Sequence, residues 1–133
     1  MPYSRSENEL VSAVMSGSLL VASPSDLLAD AAHRMADRRV GAILVVEGDH
    51  LVGILTERDV LRAAGRGNVE GTVSQWMTAA PDTVAPDATI GMAAAMMVHG
   101  GYRHVPIVDG GTLVGIVSIR DLLTLPSETP AGA

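Results

Sequence analysis

The chain carries one long stretch of sequence twice, and this repeat constrains its fold more than any other feature. Laid on itself with residue n over residue n+62, it matches without a gap from Val11 to Leu61. Met15 falls on Met77, Pro24 on Pro86, Ala31-Ala32 on Ala93-Ala94 and Met35 on Met97. Val46 falls on Val108, Gly48 on Gly110, Leu51 through Ile54 on Leu113 through Ile116, and Arg58-Asp59 on Arg120-Asp121. Whatever one copy folds into, the other must fold into as well. Two copies are too few for a solenoid. They imply two half-domains closing on each other about a pseudo-two-fold axis.

Each copy reads as helix, strand, helix, strand, strand, helix. Ser6-x-x-Glu9 and Thr72-x-x-Gln75 are capping-box patterns opening a short helix, Leu10 to Met15 in the first case. Short extended pieces follow near Leu19–Ala22 and Asp82–Ala85. Pro24 and Pro86 suit the entry to a helix, running from Asp26 to Arg38 and from Ala88 to His99. In the first of these, Leu27, Leu28, Ala31, Ala32 and Met35 share one apolar face. Strands Ala42–Val46 and His104–Val108 lead into Gly-containing hairpin turns and then into the stretches beginning at Leu51 and Leu113. Gly53 and Gly115, inside those strands, mark a close approach by a ligand or by another backbone. A final helix starts at Arg58 or Arg120. Ala63 to Gly71 reads as the linker, so the domains are expected at 1–68 and 69–133. Residues 1–9 and the tail after Leu125 have the composition of frayed or disordered ends.

Composition removes several function classes. The chain has 133 residues, and all nine of its cations are arginines, which excludes Schiff-base and P-loop lysine chemistry. A net charge of −6 opposes a nucleic-acid surface but leaves room for a small anion held by local arginines. Without cysteine there is no disulfide, thiolate nucleophile or cysteine metal site. The four histidines lack ligand spacing, so no metal is expected. Gly65-Arg66-Gly67 follows no strand and is read as linker rather than dinucleotide fingerprint. No run is long enough to span a bilayer. The stretch Val11–Ala22 follows Glu7 and Glu9 instead of basic residues, against a signal peptide. A cytoplasmic protein without membrane or nucleic-acid partners is expected. No arrangement of side chains suggests catalysis.

The chemistry-bearing pattern is the hydroxyl-x-x-carboxylate at each strand-to-helix junction, Thr56-x-x-Asp59 and Ser118-x-x-Asp121. A hydroxyl followed three residues later by an acid can be a capping box, but the usual acid is Glu and Asp is short for that reach. A helix N-terminus also offers N–H groups and positive potential to phosphate, and a carboxylate there can accept from two ribose hydroxyls. Arg103-His104 adds forked donors for phosphate in the second copy, where the first has Gly41-Ala42. The two sites are therefore expected to differ.

These motifs, with Tyr102-Arg103-His104-Val105-Pro106-Ile107-Val108-Asp109 and Thr83-Val84-Ala85-Pro86, resemble the cystathionine-β-synthase (CBS) domain. The resemblance covers roughly residues 10–125 and is that of a stand-alone tandem pair, a Bateman module. It implies an α/β (α+β) fold of two βαββα repeats packed sheet to sheet, with clefts that take adenosine ligands such as AMP, ADP, ATP or S-adenosylmethionine. By the same resemblance Asp59 and Asp121 hold ribose, and Thr56 and Ser118 help hold phosphate. Arg58 and Arg120, which recur beside these aspartates, fit a cleft edge, and Arg103-His104 is the strongest phosphate-binding candidate, for either of the two clefts. The implied function is a regulatory sensor of adenine nucleotides acting on a partner protein. The alternatives are an interaction module without a ligand and, more weakly, an enzyme acting on a nucleotide. A homodimer is expected through the helix of Met92 and Met96, which replace Asp30 and Arg34 of the first copy.

Overall fold

The computed structural model describes residues 6–123; the expected disordered tail and the first residues of the N-terminal stretch lie outside them. The first copy forms β1 (Val21–Ala22), α1 (Leu28–Arg38), β2 (Ala42–Glu47), β3 (His50–Thr56) and α2 (Glu57–Gly65). Next come α3 (Val73–Trp76) and β4 (Thr78–Ala79). The second copy forms α4 (Ile90–Gly100), β5 (His104–Asp109), β6 (Thr112–Ser118) and α5 (Ile119–Leu123). This is the mixed α+β order read from the sequence. In the second copy a single parallel bridge, Val84 to Ile107, stands where the first copy has β1.

The first sheet runs β1-β2-β3-β4, with β1 parallel to β2 and the other pairs antiparallel. The second is the β5–β6 pair. The apolar run Ala42–Val45 is buried throughout, as a strand covered on both faces requires. Pairings recur at the repeat spacing. Ile54 pairs with Thr78, and Ser16 with Ile116. Leu27 bridges Thr72, and Leu10 bridges Thr89.

Two compact units result, and neither is a contiguous half of the chain. One comprises residues 18–82 with Gly110–Leu113. The other takes residues 6–17, Thr83–Asp109 and residues 114–123. A division at 68/69 follows the sequence repeat, whereas the compact units exchange the segments that lead into each copy. Val73 is buried with Leu28, Met35, Ile43, Val45 and Leu55 in the first core. Val11 is buried with Ile90, Met97, Val105, Ile107 and Val117 in the second. Met77 and Met15 pack against these cores at matching places, beside Gly53 and Gly115. The close neighbour of each strand glycine is thus the exchanged leading segment of its own unit.

Several boundaries shift for local reasons. Helices α1 and α4 begin at Leu28 and Ile90 because Leu27 and Thr89 are extended N-caps. On α1 the buried face is Leu28, Ala31 and Met35, while Leu27 is 51% exposed. Residues near Ser6 form a turn, and the expected helix shrinks to a 3-10 turn at Val11–Ala13 with no side-chain cap on Leu10. At α3 the Thr72–Gln75 box does form, the Thr72 N–H donating to Gln75 Oε1 at 2.9 Å. Helix α2 runs to Gly65 and buries Ala63, so the linker is shorter than the sequence suggests. On α4, Met92 and Val98 are exposed, but Met96 is half-buried against the core, which corrects the expected Met92–Met96 stripe. No described helix is long and apolar enough to cross a membrane.

Candidate functional site

The two hydroxyl–carboxylate motifs sit where β3 enters α2 and β6 enters α5. In the first, Asp59 Oδ2 accepts from the Thr56 N–H at 2.9 Å and from Thr56 Oγ1 at 3.1 Å. The Asp59 N–H returns a longer bond to Thr56 Oγ1 at 3.4 Å. In the second, Asp121 Oδ2 accepts from the Ser118 N–H at 2.7 Å and from Ser118 Oγ at 3.1 Å. The Asp121 N–H donates to Ser118 Oγ at 3.3 Å. Both motifs are therefore complete capping boxes, and the expectation that Asp is too short for one is wrong. The aspartate reaches because the hydroxyl residue is still extended, with Thr56 at φ −112 and ψ 167, and turns its N–H toward the carboxylate.

Capping uses only one oxygen of each carboxylate. The other oxygen differs between the copies. Asp59 Oδ1 accepts from Arg62 Nη1 at 2.9 Å, and Asp59 is 6% exposed. Asp121 is half-buried, and its Oδ1 takes no bond from a described residue.

The backbone also joins Arg103 to the second motif: its carbonyl accepts from the Ile119 N–H at 2.8 Å. Gly41 makes the matching bond to the Glu57 N–H at 3.0 Å. Arg103 is exposed, while His104 is half-buried at the start of β5. Ser118, Asp121 and the Arg103 backbone are thus brought together within one unit, with His104 following Arg103 on the strand paired to β6. Arg58 and Arg120 are exposed on the helices that carry the aspartates. Arg62 and Trp76 escaped the sequence reading. Trp76 stands where the first copy has Val14, a departure visible within the repeat, whereas Arg62, opposite Thr124, lies one residue past the matched stretch.

Models of the CBS domain match residues 11–66 and 73–128. The chain belongs to the CBS domain family. It is 36% identical over 114 residues to an uncharacterized 17.7 kDa protein of Acidianus ambivalens, covering 84% of this chain and 70% of that one. It is 37% identical over 110 residues to the CBS domain-containing protein YhcV of Bacillus subtilis, covering 81% and 79%. It spans only 20% of two longer CBS domain-containing proteins of Arabidopsis thaliana. Among solved structures, a CBS domain protein from Pyrobaculum aerophilum complexed with AMP superposes with TM-score 0.80 at 28% identity, covering 85% of this chain and 89% of that one. The CBS domain pair of protein MJ0100, in complex with 5′-methylthioadenosine and S-adenosyl-L-methionine, gives TM-score 0.80 at 26% identity, covering 85% and 95%.

Proposed function

We propose that this CBS pair is a regulatory module that binds an adenine nucleotide of the AMP class, with Asp121 as ribose anchor and Ser118, Arg103 and His104 on the phosphate side. The observation that carries the reading is the divided carboxylate of Asp121. Oδ2 is held by Ser118, and Oδ1 accepts from none of the described residues. A carboxylate fixed in this way is pre-oriented to accept from a vicinal diol, with little rotamer entropy left to lose on binding. An exposed arginine bound through its backbone to the same turn supplies a cation near the anionic end of such a ligand. The bound state would be passed to an effector protein, and the apolar outer surface of α4 would be covered by a second copy of the chain. Adenosine ligands in the related AMP and S-adenosylmethionine complexes support the ligand class.

Titration calorimetry with AMP, ADP, ATP and S-adenosylmethionine tests this reading. Asp121→Asn keeps an amide oxygen for the cap and removes the carboxylate. Loss of charge-assisted hydrogen bonds worth roughly 1.5–3 kcal/mol should weaken binding about ten- to hundredfold. Equal affinity in the two proteins would remove Asp121 from the site. Absence of heat with all four ligands would favour an interaction module whose two motifs act only as helix caps.

A further inference from the structure

We infer that Arg62 is a gate that closes the first copy's site, so that the chain takes one nucleotide, at Asp121, until the gate is displaced. The inference rests on reading the two aspartates as ribose anchors. In the first copy the oxygen that would receive a ribose hydroxyl already accepts from a half-exposed arginine, which lies over the buried carboxylate. Arg62 Nη1 lies 2.9 Å from Asp59 Oδ1, and the Asp59 side chain is only 8% exposed beside it. The guanidinium is held from a second direction as well, its carbon 5.5 Å from the centroid of the Trp76 ring. An arginine that pairs with a carboxylate and stacks on an indole is fixed more firmly than an exposed i,i+3 pair alone.

The sequence separates the copies at both components of this device. Thr124 stands at the place of Arg62 and Val14 at the place of Trp76, so the second copy has neither the cation nor the ring. The gate is also assembled from two parts of the chain. Arg62 comes from α2, and Trp76 comes from α3 in the segment leading into the second copy. The Trp76 Nε1 is buried without a hydrogen-bond partner among the described residues, so the indole contributes its ring face and not a hydrogen bond. Withdrawing Arg62 leaves a buried carboxylate oxygen short of a donor, and a ligand hydroxyl can satisfy it.

The test is the stoichiometry of AMP binding by titration calorimetry. The wild type should bind one AMP per chain. Arg62→Gln, which keeps the length and removes the cation, should bind two, with affinity at the first copy raised at least about tenfold. The added site should vanish in Arg62→Gln combined with Asp59→Ala. Trp76→Leu loosens the guanidinium without losing a hydrogen bond and should also raise the stoichiometry, which guards against a folding defect in either variant. Two sites in the wild type overturn the gate. So does a single Asp121-dependent site in both variants, and that result leaves the nucleotide reading standing. No AMP bound by wild type or by either variant overturns the nucleotide reading and the gate together.

Discussion

A methyl group at position 53 or 115 has no free space. A Cβ on Gly53 would lie 3.1 Å from the Thr78 carbonyl oxygen and closer still to the Met77 side chain. On Gly115 it would lie 3.2 Å from the Ser16 carbonyl oxygen and against Met15. The methionine can turn aside, but the carbonyl belongs to a backbone bridge, Ser16 to Ile116, and has little freedom. Overpacking of this kind costs roughly 1–3 kcal/mol. Gly115→Ala should lower the urea midpoint accordingly. Gly65→Ala, with nothing within 4 Å of the added carbon, should be neutral or stabilising by up to about 1 kcal/mol. Equal effects of the two substitutions would mean that the leading segment does not approach the strand this closely. The sequence marked both strand glycines as places of close approach. It did not say what approaches, because an unpacked repeat offers the same partner, a methionine, from either copy.

Helices α1 and α4 show how one element is built from two different sequences. Their buried faces agree at the repeat spacing, Leu28, Ala31 and Met35 against Ile90, Ala93 and Met97. Apolar periodicity made that face legible. The ends were less legible, because their partners are distant in sequence. The Leu28 N–H donates to the Gly71 carbonyl at 2.9 Å, and the Ile90 N–H to the Glu9 carbonyl at 2.8 Å. Only α4 adds a side-chain cap, its Met92 N–H donating to Thr89 Oγ1 at 3.1 Å. At the other end Arg39 and Gly101 both turn left-handed, with φ of 55 and 73, and only the glycine does so without steric cost. Thr89→Ala should therefore cost about 1 kcal/mol in chemical unfolding. A change below a few tenths would show that the carbonyl of Glu9 suffices to start the helix. The sequence raised a capping role for Asp59 and Asp121 but counted Asp short for it, since the reach of Asp depends on an extended N-cap that only the folded junction provides.

For the whole molecule, the repeat was plain in the sequence and the exchange of leading segments was not. Either copy presents the same strand glycine and the same apolar wall to an incoming methionine, so sequence complementarity cannot choose between them. What the repeat does expose is where the copies have diverged on their surfaces. Asp30 of α1 becomes Met92 on α4, which is 54% exposed; Val98 of α4 is 78% exposed and Leu123 of the neighbouring α5 is 72% exposed. Arg34 of α1 donates to the Val21 carbonyl at 2.6 Å, while its match, Met96, turns to the core edge and leaves no charge on this side of α4. A helix with apolar groups on both sides is stable in water when its outer side is covered, and methionine adapts well to a partner surface. Light scattering at micromolar concentration should accordingly find a wild-type dimer. Met92→Asp restores the residue of the first copy at an exposed position, so it should shift the protein toward monomer with little change in thermal stability. A monomeric wild type, or a variant as dimeric as the wild type, would place the contact away from α4.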